Sequence, residues 1–272
     1  MMLDGVPETT AENWLDLIDK LYANSWDPGI GRFRASLVYR GICDSAADLS
    51  TSLARSARAY PDVARLESHI LRNFRKYAHA SVTEEDSTWN WLALAQHHGL
   101  QTRLLDWTYS PLVAMHFVTE DLSTYDRDGA IWCMNHRDSN RLLPGRLREQ
   151  LEIAGADVFT ADLLDSVCRS LEELDSMSPA PFVIFLEPPS IDARIVNQFA
   201  LFSMMSSATC SLADWLARHS GIAHRIVVPR AVKWEIRDKL DQAGVTERML
   251  YPGLDGIARW LSRYYMPRER CD

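Results

Sequence analysis

Two breaks confine the segment Thr88–Phe117, TWNWLALAQHHGLQTRLLDWTYSPLVAMHF, to a narrow set of layouts. Trp91, Leu92, Ala95 and His98 fall close to one helical face, and Gly99 supplies the left-handed residue that commonly follows a helix end. Ser110 before Pro111 is an N-cap serine with proline at the first helical position, where a missing N–H does no harm, so a second helix starts there. The expected order is helix, short turn, helix. Arg103, Asp106, Trp107 and Thr108 lie in the connection, the last three close to the positive N-terminal end of the second helix, where an anion is attracted. Taken singly, Arg103 with Asp106 reads as a structural ion pair and Trp107 as core. A mere connector does not need Gln96, His97, His98, Arg103, Asp106 and Thr108 together, and the excess polarity points to a binding site.

A second marker lies upstream in SLVYRGICDSAADLSTSL. Leu37 and Tyr39 read as a short strand ending in Arg40-Gly41, where glycine allows a tight turn or the close approach of another backbone or a ligand. Together the two markers resemble the FRG domain family, with its aromatic-Arg-Gly motif at Tyr39-Arg40-Gly41. That family's HHG-x-x-T-R-L-L-D-W-T-x-S-P block runs here from His97 through Thr108 to Ser110-Pro111, Ala114 and Phe117. The resemblance continues at Ala193–Phe202 and again at Leu250–Gly256, and so spans most of the chain. Ala200 stands where the family usually has glycine in Gln-x-Gly-x-Phe.

The order of parts is more distantly similar to the ADP-ribosyltransferase superfamily. There a strand-borne Arg or His holds NAD, a Ser/Thr-bearing strand leads into a helix, and a late Glu or Gln acts on the ribose. This likeness implies the first role for Arg40, the second for Thr108 with Ser110, and the third for Gln198. It also implies NAD as substrate and a bacterial toxin or phage-defence setting. Tyr39, Gly41, His98, Arg103, Asp106, Trp107 and Ser110 are the expected ligand-binding residues beside those three. A guanidinium fork suits a pyrophosphate or carboxamide neighbourhood. A neutral Gln198 stabilises an oxocarbenium-like centre poorly, which leaves three alternatives: Gln198 only positions the ribose, the acid is Asp106, Glu187 or Asp192, or the chain binds without turnover.

At 272 residues and 47% hydrophobic content, the chain can bury a sizeable core as one domain over residues 1–272. A net charge of −8 argues against broad affinity for nucleic acid or an anionic membrane. The arginines of Arg65–Arg75 read as a solvated helix face above a Leu66/Ile70/Phe74 stripe. Five scattered cysteines lack C-x-x-C spacing and imply a reduced compartment. The N-terminus has neither a basic start nor an apolar run, and no later segment approaches the ~18 apolar residues of a membrane span, so a cytoplasmic protein is expected. His97, His98 and His116 lack metal-binding spacing, and no metal site is expected; G-x-S-x-G, Walker A and G-x-G-x-x-G motifs are absent.

Along the chain, Thr9-x-x-Glu12 reads as a capping box opening a helix from Ala11 within an N-terminal helical segment, 1–30. Helices are expected near Asp62–Ala78 and Lys233–Ala243, and strands at Ala130–Met134, Pro181–Leu186, Arg194–Met204 and Ala223–Val228. Residues 136–179 read as a helical insertion or lid of two helices. The fold class is α+β, a central mixed β-sheet with surrounding helices, in an ADP-ribosyltransferase-like arrangement. Two functions follow: an NAD-handling enzyme with a protein or nucleic-acid acceptor, or a non-catalytic module that binds a nucleotide or other anionic small molecule.

Overall fold

The computed structural model describes residues 5–23, 25–78, 86–190 and 192–267. Strand β1 (Glu8–Thr10) and helix α1 (Trp14–Tyr22) precede a small hairpin of β2 (Trp26–Asp27) and β3 (Arg32–Phe33). The first 30 residues therefore hold strands as well as a helix. Thr9 is committed to β1, and the cap of α1 is Asn13, whose side chain accepts from Leu15 N and Asp16 N. Next come β4 (Leu37–Ile42), α2 (Ser52–Ser56), α3 (Val63–Ala78), α4 (Thr88–His97), β5 (Leu104–Thr108), α5 (Pro111–Val118) and β6 (Gly129–Asn135). Residues 136–179 hold four short helices instead of two: α6 (His136–Asn140), α7 (Gly145–Ala154), α8 (Ala161–Asp165) and α9 (Leu171–Ser176). The chain then forms β7 (Val183–Leu186), α10 (Ala193–Asn197), β8 (Ala200–Met205), α11 (Leu212–Arg218) and β9 (Ala223–Val228). It ends in α12 (Lys233–Gln242), α13 (Glu247–Leu250) and α14 (Leu254–Tyr264).

Seven strands form one sheet in the order β1-β9-β6-β4-β5-β8-β7. Only β1 and β9 run parallel and the other pairs are antiparallel, so the sheet is mixed and the fold is α+β. The chief departure from expectation is β5, because what reads as a turn between two helices is a central strand. Leu104 packs into the cluster beneath α4, while Leu105 and Trp107 pack into the cluster on the other face. That is the period-two alternation of a strand buried on both sides. The Arg194–Met204 segment also divides differently, into α10, capped by Asp192, and β8.

Helix α5 lies directly on β4. A Cβ at Gly41 would stand 1.9 Å from the Ala114 carbonyl oxygen, so glycine here serves helix–strand packing. The helices of 136–179 place Leu147, Leu151, Leu164, Leu171 and Leu174 against Trp89 and Trp91 of α4. Trp89 Nε1 also donates to the Cys168 carbonyl at 2.7 Å, so this segment closes one end of the core.

Candidate functional site

The cleft exists because two neighbouring strands part. β4 pairs with β6 at six positions and β5 with β8 at five, yet β4 and β5 share only the pair Tyr39↔Thr108. Past that pair the space between them becomes a cavity of about 280 Å³, just below the range of about 300–1,000 Å³ usual for small-molecule sites. Arg40 bridges the gap: its Nη1 donates to the Asp106 carbonyl at 2.6 Å, satisfying a backbone oxygen at the strand separation. Its Nε is buried without a hydrogen-bond partner among the described residues. Burial pulls the Arg40 pKa down, with the Asp106 carboxylate opposing this and the charge of Arg55 adding to it. Arginine nevertheless stays protonated in proteins.

The Asp106 carboxylate shares the cleft. One of its oxygens stands 3.8 Å from Arg40 Nη1, and its side chain is 59% exposed, so the ion pair is loose. Its orientation comes from Gln96, whose Nε2 reaches Oδ1 at 3.1 Å and Oδ2 at 3.0 Å. Gln96 is itself held by Thr102 Oγ1, which donates to Gln96 Oε1 at 2.6 Å. A carboxylate is therefore positioned beside a guanidinium that retains unused donor capacity.

The far wall is a backbone lattice. Thr108 Oγ1 donates to the Gln198 carbonyl at 2.7 Å and accepts from Ser110 N at 3.0 Å. Gln198 Nε2 donates to the Leu250 carbonyl at 3.0 Å, and neighbouring Asn197 Nδ2 donates to the Met249 carbonyl at 2.7 Å. The Ala193–Phe202 block is thus docked on the chain just before Tyr251. The guanidiniums of Arg194 and Arg259 both lie over the Tyr251 ring, 5.2 and 5.1 Å from its centre, and the Tyr251 hydroxyl donates to Glu120 Oε1 at 2.6 Å. At the rim, His97 Nε2 meets Asp192 Oδ2 at 2.5 Å, joining the end of α4 to the cap of α10.

Of the residues singled out in the sequence, Tyr39, Arg40, Gly41, Asp106, Trp107, Thr108 and Gln198 all line this cleft. Tyr39 is buried and donates to the Leu21 carbonyl, so it is wall. Trp107 is 3% exposed, with Nε1 donating to Ser203 Oγ at 2.8 Å; its ring belongs to the core and is not a stacking platform. Three residues lie outside the cleft lining. Arg103 is buried on Glu67 and Asp175 instead of pairing with Asp106. Ser110 caps α5 at Val113 N. His98 is exposed at the end of α4, because adjacent helical residues point about 100° apart and it is His97 that faces the cleft. Gln96 and His97, part of the polar excess already visible in the sequence, line the cleft too, and Arg194 joins them from α10 without a sequence signal that singled it out.

Among the described residues no group of three His, Cys, Asp or Glu side chains could hold a metal ion, and no helix is long and apolar enough to cross a membrane. The pattern of the FRG domain family matches residues 35–127, about a third of the chain, from the start of β4 to just before β6. The match contains Arg40, Gln96, His97, Asp106 and Thr108, and stops short of Arg194 and Gln198. No curated protein matches the chain, and no solved structure does.

Proposed function

We propose that this chain, which carries an FRG domain, is an NAD-handling enzyme of ADP-ribosyltransferase or NAD-glycohydrolase type, acting at the cleft between β4 and β5. The observation that carries this reading is the pairing of Arg40, with buried unused donor capacity, and Asp106, an exposed and oriented carboxylate, in one cavity. The cleft lining supports it, since Arg40 of β4 and Thr108 of β5 share it with Gln198, which lies at the end of α10 just before β8 and not on a strand. Arg40 holds the anionic part of the dinucleotide by charge-assisted hydrogen bonds. Asp106 takes the role that a neutral Gln198 fills poorly, stabilising positive charge on the ribose as the C1′–N bond breaks. The bonding pair leaves with nicotinamide, and water or an acceptor nucleophile attacks C1′ and gives up a proton. Thr108 and Gln198 hold the wall, because their side chains are already committed to backbone partners.

A second reading, a non-catalytic module binding a nucleotide or another anion, draws support from the small cavity and from those same commitments. Incubation of the purified protein with NAD, alone and with a cell extract, separates the two. Released nicotinamide that disappears in Arg40→Ala and Asp106→Asn is the expected result. No release in either setting, from protein of intact fold, leaves the binding module.

A further inference from the structure

We propose that the face built by α2, the turn after it and α3 binds single-stranded nucleic acid beside the cleft. Residues 52–78 carry six Lys and Arg against two Asp and Glu, in a chain whose net charge is −8. One of the two acids, Glu67, is buried on Arg103, and the other, Asp62, accepts the backbone N–H of Arg65 at 3.0 Å. Asp62 keeps its charge beside Arg65, so residues 52–78 set six cations against one exposed acid. Arg65, His69, Arg72 and Lys76 recur at helical spacing and are all exposed, opposite the buried side of Glu67 and Leu71. Among the described residues, Arg58, Arg65, Arg72 and Lys76 form no ion pair with a carboxylate, although the charge of Arg58 bears on Asp48; scattered exposed arginines such as Arg32 and Arg169 share this, and what differs here is that Arg65, Arg72 and Lys76 lie on one stripe of α3.

The shape of the surface suits a strand. Tyr60, Arg65, His69 and Arg72 line an open groove of about 690 Å³. Tyr60 is 55% exposed and offers a ring face on which a base can stack, while Tyr77, at the other end of α3, is 76% exposed with Lys76 Nζ 5.4 Å from its ring centre. Arg65 to Lys76 spans about 16 Å along a helix, room for roughly three phosphates of an extended strand. The basic run also leads toward the cleft. Leu53 N of α2 donates to the Thr102 carbonyl at 3.2 Å, and Arg55 is near enough for its charge to bear on Arg40. Nucleic acid is favoured over an acidic peptide or a membrane because the groove joins the cations Arg65 and Arg72 to an exposed aromatic ring, Tyr60, at its end.

The test is fluorescence anisotropy with a labelled 20-nucleotide single strand of mixed sequence, as RNA and as DNA, without NAD. Its failure would therefore leave the reading of the cleft standing. Binding is expected to weaken with salt, with a slope near −2 for about three phosphate contacts. The variant Arg58→Gln/Arg65→Gln/Arg72→Gln should bind at least about tenfold more weakly with a shallower slope, and Tyr60→Ala about fivefold or more weakly. All four changes are exposed, so circular dichroism should be unchanged. Preference for RNA or for DNA identifies the source of the strand. The proposal is overturned by absence of binding to both, by full affinity in the folded triple variant, or by binding of phosphatidylserine vesicles or a poly-glutamate peptide in place of either strand.

Discussion

Arg103, immediately before β5, and Arg40, which reaches across to the middle of that strand, are both substantially buried, and their surroundings are opposite. Arg103 gives Nε to Glu67 at 2.7 Å and Nη1 to Asp175 at 2.5 Å and to the Ser206 carbonyl at 3.2 Å. It sits at 2% exposure with a carboxylate on each side. Arg40 has one backbone carbonyl, one loose carboxylate contact, and a buried Nε with no partner among the described residues. Charge saturated by protein groups holds elements together, whereas charge left under-satisfied beside a cavity is available to a ligand. The same contrast runs along the strand: its start is clamped to α3 and α9, and its end faces Phe199, whose φ of 48 makes it the only non-glycine residue described with positive φ.

The largest expected effect tests the saturated end. Arg103→Met leaves Glu67 buried without its counter-charge, which costs about 3–5 kcal/mol. Urea unfolding measures it, and a loss below about 1 kcal/mol would erase the distinction between the two arginines. Next comes the open end. Arg40→Ala should lower NAD turnover by about 100-fold or more while changing stability by less than about 1 kcal/mol. Asp106→Asn should show the same split, since its carboxylate is exposed and only Gln96 and Arg40 lean on it. A large loss of stability in either variant with turnover retained would make the cleft a structural joint.

Much of the open end was legible, because its residues belong to contiguous motifs: Tyr39-Arg40-Gly41, and Asp106 and Thr108 two positions apart on what proves to be one face of β5. Helix starts at Ser110-Pro111 and the break at Gly99 were legible for the same local reason. The saturated end was not. The partners of Arg103 lie 36 and 72 residues away, and spacing along the chain says nothing about which distant carboxylate folds onto it. Asp106, three residues from Arg103, was the nearest acid in sequence, but β5 is a strand, and alternation sends residues an odd number apart to opposite faces. Helix phase does not separate His97 from His98 in the sequence, because α4 is buried nearly all round and its phase is poorly defined.

A smaller effect sharpens the comparison through pH. His116, fully buried behind the cleft on α5, accepts from Arg237 Nη1 at 2.7 Å through Nδ1, which requires that nitrogen to be unprotonated. Burial, then the Arg237 charge, lowers its pKa to about 3. The unfolded chain takes up that proton near pH 6.5, so between about 6.5 and 3 it binds more protons than the folded one and stability falls as the pH drops. From pH 7 to 5 the loss from this group is up to about 2 kcal/mol, above the range in which Glu247, held at about 2, contributes. His136 and His224 are lowered too and act in the same direction, so the measurement is the difference in pH dependence between wild type and His116→Asn. Equal slopes in the two proteins would remove His116 as a source of acid sensitivity.

The smallest effect concerns strain at the cleft. The Phe199 carbonyl accepts Tyr109 N at 3.1 Å, just beyond the end of β5, and the left-handed backbone at Phe199 turns α10 into β8. A non-glycine residue there costs about 1–2 kcal/mol. The ring is 50% exposed, so little packing offsets that cost. Phe199→Gly relieves the strain and adds about 0.4–1 kcal/mol of unfolded-chain entropy, for a net gain of about 0.5 kcal/mol. Chemical denaturation of the pair, with Ala200→Gly as a control in regular strand where glycine should only destabilise, reads that sign. Stabilisation at 199 and destabilisation at 200 would place the strain in the turn at the open end of β5, and destabilisation at both would show that the Phe199 ring holds the turn by packing.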